Sequence, residues 1–172
     1  MSIPYRRRRE GRTDYNRRRK LVGSGEFRLV VRRSNKNVHL QILKYEENGD
    51  KVISSSNSRE LIKIGWKGAR GNTPAAYLTG LLLGRKAIKQ KVKKAILDVG
   101  VHKPAAGSAF YAAVKGVADG GVEVPHSEEV IPSKERIEGQ HIKNNTKTKY
   151  TKSEREKITD NFNEVKNKIT KE

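Results

Sequence analysis

The order of apolar and polar positions gives the chain a patterned middle between two polar ends. Phe27-Arg28-Leu29-Val30-Val31-Arg32-Arg33 is rich in β-branched residues and predicts a strand. From Asn37 to Glu46 the pattern alternates, with Val38, Leu40 and Ile42 on one face and His39, Gln41 and Leu43 on the other. Asn48-Gly49-Asp50 is a hairpin signal, and Lys51 to Ser56 predicts a third strand with Val52 and Ile53 at its apolar start. Ser58-Arg59-Glu60-Leu61 opens a short helix that ends near Gly65. Asn72 or Thr73 caps a longer helix, with Pro74 in its first turn, that runs to about Gln90. Its stripe is Tyr77, Leu81, Gly84 and Ile88, widened by Leu78 and Leu82, while Lys86, Lys89 and Lys93 point outward. Gly80 and Gly84 cost that helix stability; close packing on the sheet is the expected return.

Ala95 to Val99 is a near-continuous apolar run, the pattern of a strand buried on both faces. It follows a helical crossover, so parallel pairing is expected. Ser108 caps a last core helix with the stripe Phe110, Ala113, Val114 and Val117, and Gly120-Gly121 ends it. The order βββαβα predicts an α/β fold, a mixed sheet of three antiparallel strands plus one parallel strand packed by helices. Beyond Val124-Pro125 the chain turns polar and lysine-rich. Ile158, Phe162, Val165 and Ile169 recur there at helical spacing, with Ser153 as N-cap and Glu154 and Glu156 in the first turn. That stripe is too narrow to form a core alone and needs a surface: the domain, RNA or a neighbouring protein. The expected division is a basic arm at 1–26, an α/β core at 27–122 and a C-terminal extension at 123–172 with an amphipathic helix near 153–170.

Charge changes the picture of the arm. The chain of 172 residues carries a formal net charge of +19. Residues 1–36 hold 13 Lys and Arg against 3 Asp and Glu, so over half the net charge lies in about a fifth of the length. Such a field attracts polyanions, nucleic acid first and an anionic membrane surface second. The arm favours arginine, at Arg6, Arg7, Arg8, Arg9, Arg12, Arg17, Arg18 and Arg19, joined by Lys20. Arginine grips phosphate with a planar fork and stacks on bases. Tyr5 and Tyr15 interleave with it and can stack on unpaired bases. A solvated basic tail or a nuclear-import signal would also be arginine-rich, but this run leads directly into a strand.

Candidate chemistry is sparse. There is no cysteine, so disulfides, cysteine–zinc sites and cysteine nucleophiles are excluded. His39, His102, His126 and His141 lack metal-ligand spacing. Gly65-Trp66-Lys67-Gly68-Ala69-Arg70-Gly71-Asn72 has the composition of a phosphate-approaching loop, with Lys67 and Arg70 as its cations. Trp66 is either a core plug or a stacking platform, and core is the favoured reading. Asp98, Glu123, Glu128 and Glu129 could be combined into a two-metal nuclease site. The simpler reading has Asp98 ordering the turn after its strand and the two glutamates starting a helix. No signal peptide and no membrane span are expected.

Five stretches carry a resemblance: Leu29 to Val38; Gly65-Trp66-Lys67-Gly68; Asn72-Thr73-Pro74-Ala75-Ala76-Tyr77-Leu78-Thr79-Gly80; Leu97-Asp98-Val99-Gly100; and Val124-Pro125-His126-Ser127-Glu128-Glu129. In this order they resemble the archaeal form of the large-subunit ribosomal protein that binds 5S ribosomal RNA, over roughly residues 5–142. The resemblance implies a structural constituent of the large ribosomal subunit, cytoplasmic and non-enzymatic, with no cofactor and no small-molecule substrate. It implies a place in the central protuberance, attaching 5S ribosomal RNA to the large-subunit ribosomal RNA beside the other 5S-binding protein. It carries RNA contact to the arm arginines with Tyr15, and to Arg32, Arg33, Ser34, Asn35, His39 and Gln41. Arg28, Lys20, Lys67 and Arg70 join these as candidate RNA-binding residues. Gly107-Ser108-Ala109-Phe110 departs from the pattern, which would place an arginine after the serine. Competing classes are a magnesium-dependent nuclease and a general nucleic-acid chaperone.

Overall fold

The structure, a computed structural model, describes residues 3–145 and 157–171. Strands β1 (Arg28–Arg33), β2 (Val38–Lys44) and β3 (Lys51–Asn57) form an antiparallel meander, and β4 (Ile96–Asp98) pairs in parallel with β1. The sheet order is β3-β2-β1-β4. The architecture is therefore the mixed α/β sheet that the apolar pattern predicts. Period-2 alternation sets the register: Leu29 faces Ile42 and Val31 faces Leu40 on the core side, while Val30 faces Gln41 and Arg32 faces His39 on the other. A register shift between Ile42 and Leu43 bends the pairing with β3.

The arm holds α1 (Arg6–Arg9) and α2 (Tyr15–Gly23). After β3 come α3 (Glu60–Ile64) and α4 (Thr73–Lys89). Gly65, at φ +110°, stops α3, a backbone state that glycine adopts without a Cβ penalty. Asn72 caps α4 by accepting the Ala75 N–H at 2.9 Å. Helix α5 (Ala109–Asp119) follows β4 and buries the expected stripe of Phe110, Ala113, Val114 and Val117. Short helices α6 (Lys134–Glu138) and α7 (Gln140–Lys143) lead to α8 (Ile158–Lys171). The expected cap and acidic first turn of α8, at Ser153, Glu154 and Glu156, lie outside the described residues.

Several local expectations are corrected. Gly80 and Gly84 pack on α5, not on the sheet. A Cβ at Gly80 would collide with the Ala113 carbonyl, and one at Gly84 would lie 2.7 Å from the Val117 oxygen. Gly116 is the reciprocal notch, against the Tyr77 carbonyl. Ile88 is exposed rather than part of the α4 stripe; in the last turn of α4 it is Ala87 that faces the core. On β3 it is Ser54 and Ser56 that face inward, while Val52 is solvent-facing. Strand β4 is a three-residue edge, with Ile96 and Leu97 half-buried rather than covered on both faces. Ser108 occupies the N-cap position of α5 but makes no capping bond there.

Helix α8 lies on the domain. Ile158, Phe162, Val165 and Ile169 are all buried, and the last three belong to the main hydrophobic core. The Phe162 and Tyr77 rings are 5.7 Å apart. Polar contacts fix the orientation: Asn161 donates to the Gly65 carbonyl at 2.9 Å and accepts from the Lys67 N–H at 3.0 Å. Lys168 donates to the Ile64 carbonyl at 3.2 Å. These bonds satisfy carbonyls left open where α3 ends. Tyr77 donates its hydroxyl to Asp119 at 2.8 Å, tying α4 to α5. Burial first, and then this bond and the Asp119 charge, push the phenol well above its usual range.

Candidate nucleic-acid interface

The arm is ordered by local polar contacts rather than by burial. Asp14 caps α2 by accepting the Arg17 N–H at 3.1 Å. Glu10 takes Arg6 Nε at 2.8 Å and Arg12 Nε at 3.2 Å. Arg7 Nε donates to Thr13 Oγ1 at 2.9 Å. Neither α1 nor α2 buries a residue. Tyr5 and Tyr15 pack on each other with ring centres 5.2 Å apart, so a base would have to part them or use an outer face. Arg6, Arg8, Arg9, Arg19 and Lys20 are exposed.

Two contacts fasten α2 to the sheet. Arg17 Nη1 donates to the Gly100 carbonyl at 3.0 Å, and Arg18 Nη2 meets Asp50 Oδ2 at 2.9 Å. Asp50 Oδ1 lies 2.6 Å from Arg28 Nη2, an ion contact outside hydrogen-bond geometry. Arg28 Nη1 reaches Asp98 Oδ2 at 3.2 Å, and Asp98 Oδ1 accepts the Gly100 N–H at 2.9 Å. A chain of alternating charge thus runs from the arm along the sheet face that carries Arg32. Arg28 is 1% exposed within it. Its guanidinium is spent on two carboxylates and is closed to an outside ligand, unlike the other arginines proposed with it. Asp98 orders the turn after its strand, as its position suggested.

Strand parity sorts the remaining candidates. Arg32, His39 and Gln41 share the open face. Arg32 is exposed there, and its Nη1 is held by the Val31 carbonyl at 2.8 Å. Arg33 projects from the opposite face and lines a cavity of about 420 Å³ with Ser34, Asn35, His102 and Lys103. Ser34 closes the β1–β2 turn, accepting the Asn37 N–H at 3.0 Å. Asn35 also borders a second cavity, of about 460 Å³, with Lys36, Lys67 and Arg70. Trp66 is 3% exposed and donates Nε1 to the Ala69 carbonyl at 3.2 Å, so it is a core plug.

Lys36, His102 and Lys103 join this end of the sheet although they are not among the candidate RNA-binding residues of the sequence. The signal lay in the topology, because a parallel β4 brings the turn after it beside the β1–β2 turn. The nuclease reading loses its key residue to Arg28. Among the described residues, no group of three His, Asp or Glu side chains is arranged to hold a metal, and no helix is long and apolar enough to cross a membrane.

An arginine arm pinned to a sheet face that presents Arg32, His39 and Gln41 is a surface built for a polyanionic partner. The comparisons with known proteins agree on the class. The family described as "Ribosomal large subunit proteins 60S L5, and 50S L18" matches residues 1–93 and 89–127. The chain belongs to this family of large-subunit ribosomal proteins. It is 51% identical over 142 residues to the large ribosomal subunit protein uL18 of Methanococcus maripaludis, covering 83% of this chain and 74% of that protein. The resemblance carried by the sequence motifs is therefore correct, including its archaeal form.

Proposed function

We propose that this ribosomal protein binds 5S ribosomal RNA and attaches it to the large-subunit ribosomal RNA in the central protuberance, without catalytic turnover. Its partners in this reading are those two RNAs and neighbouring proteins, the other 5S-binding protein among them, in the large subunit of the cytoplasm. The observation that carries the reading is the two-part cationic grip: arm arginines fastened by Arg17 and Arg18 across a sheet that presents Arg32, His39 and Gln41. Family membership supports the ribosomal setting, and the motif resemblance supports 5S as the RNA; charge alone requires only a polyanion.

The division of labour follows the chain. Residues 1–26 grip phosphate through Arg6–Arg9, Arg12, Arg17–Arg19 and Lys20, with Tyr15 beside them. The core at 27–122 contributes Arg32, Arg33, Ser34, Asn35, His39 and Gln41, and the loop residues Lys67 and Arg70. Phosphate contacts position the protein, and sheet residues read RNA shape and unpaired bases. The extension at 123–172 braces the core through α8.

Salt dependence tests this. If the arm neutralises about eight phosphates, log affinity for 5S RNA falls with log salt at a slope of roughly −6 to −7. Deleting residues 1–20 should flatten that slope and weaken binding; unchanged affinity would remove the arm from the interface. Competition with an unrelated duplex separates a specific constituent from a chaperone, because a chaperone would show little preference.

A further inference from the structure

Beside the junction of arm and sheet lies a small cavity of about 150 Å³, lined by Arg7, Arg12, Arg17, Arg18 and Arg32 with Thr13, Asp14, Asp98 and Gly100. Five guanidinium groups around so small a space repel one another unless something offsets them. Two are offset inside the protein: Arg12 by Glu10 and Arg18 by Asp50. Arg7, Arg17 and Arg32 are held differently. Their anchors are neutral oxygens, the Thr13 hydroxyl, the Gly100 carbonyl and the Val31 carbonyl. Of the two carboxylates on the wall, Asp98 is paired with Arg28, while Asp14 accepts the Arg17 N–H and keeps its charge, one negative charge against these three cations.

Each neutral anchor fixes a guanidinium in place without neutralising it. Arg32 depends on a further detail. A Cβ at Gly100 would lie 3.0 Å from Arg32 Nη2, and Gly100 has φ +62°. Glycine there gives the turn its shape and the guanidinium its room. Of the three cations without a carboxylate partner of their own, two come from the arm and one from β1, and together they outnumber Asp14. The space is several times the roughly 30 Å³ share of one water and about half the roughly 300 Å³ of a small-molecule pocket. It has ample room for one tetrahedral anion between the guanidinium groups.

We infer that this cavity is a single-phosphate site, completed jointly by Arg7 and Arg17 of the arm and Arg32 of the sheet, and that its occupant is one phosphodiester of the bound RNA. The inference rests on the RNA-binding reading above and adds the place where one phosphate locks the arm to the sheet. Fork-shaped donors held in advance suit a tetrahedral oxyanion and lose little freedom on binding it.

Inorganic phosphate is the probe. Titrated into the full-length protein, it should shift the arginine Nε–H NMR signals of Arg7, Arg17 and Arg32 together, along one saturable curve. Arg32→Gln should weaken that curve for Arg7 and Arg17 by about tenfold or more, the loss of charge-assisted hydrogen bonds. Arg32→Lys should fail to restore it, because an ammonium keeps the charge but lacks the fork. Far-ultraviolet circular dichroism establishes that both variants are folded. A 5S RNA with dephosphorylated ends, which offers phosphodiesters only, should displace the bound phosphate. Linear, unsaturable shifts, or an unchanged Arg17 curve in Arg32→Gln, would overturn the site. Phosphate retained while RNA binds would overturn the phosphodiester as its occupant. RNA affinity that persists without any saturable phosphate curve would sink the pocket alone and leave the wider RNA-binding reading standing.

Discussion

The arginine arm and helix α8 are both helical and both polar in composition, yet they relate to the core in opposite ways. The arm buries no residue in α1 or α2. It touches the sheet through guanidinium contacts such as Arg17 to the Gly100 carbonyl and Arg18 to Asp50. Helix α8 inserts Phe162, Val165 and Ile169 into the main core. The difference comes from four apolar residues at helical spacing. A narrow stripe gives a helix a hydrophobic reason to stay on its own chain. Without one, a basic segment keeps its side chains at the surface, available to a partner.

The comparison can be broken most forcefully at Phe162. Phe162→Ala should cost about 3–5 kcal/mol in urea unfolding, the range for deleting a buried aromatic side chain. A loss under 1 kcal/mol would mean that α8 is as peripheral as the arm. Arg28→Leu comes next, because it asks whether an arginine near the arm behaves as surface or as core. It strands Asp98 and leaves Asp50 with Arg18 alone, and should cost about 2–3 kcal/mol, below the roughly 3–5 of a sealed pair because both carboxylates retain some solvent contact.

Tyr77→Phe should cost about 1.5 kcal/mol at neutral pH, where it removes a hydrogen bond to a charged acceptor. Its pH signature is more specific. The folded phenol is held above its ordinary range, so its contribution is fully present below about pH 10 and is lost as pH rises further. Wild-type stability should therefore fall toward that of Tyr77→Phe in alkaline denaturation series, and parallel curves would contradict this. The smallest expected change is the one that completes the contrast. Deleting residues 1–20 should alter unfolding free energy by less than about 1 kcal/mol, since the arm's ion pairs lie mostly at the surface, even though RNA affinity falls steeply.

Local patterns carried much of this fold into the sequence. The alternation of Val38, Leu40 and Ile42, the cap at Asn72, the stop at Gly65 and the α8 stripe are each written in neighbouring residues. What was not legible depends on partners distant in the chain. Spacing shows that Gly80 and Gly84 share a face, but not that α5 fills it. An apolar run predicts β4, while its edge position is a property of the whole sheet. In the candidate interface the arm arginines stand out by number, whereas Arg28 has the same side chain and only its pairing with Asp50 and Asp98 removes it from the surface. Strand parity does offer one earlier signal: Arg28 and Arg32 share a face that Arg33 does not.

The position of α8 along the chain also sets the timing of maturation. Its side chains close over Tyr77 and hold the carbonyls of Ile64 and Gly65, partners 85 to 104 residues earlier. During synthesis the arginine arm emerges first, and the surface under α8 stays uncovered until the helix has cleared the exit tunnel. At elongation rates of roughly 5–20 residues per second, that gap between an assembled sheet and a sealed core lasts on the order of seconds. The nascent chain therefore offers its anionic partner a binding arm before it has finished folding, and exposes a sticky apolar patch over the same interval.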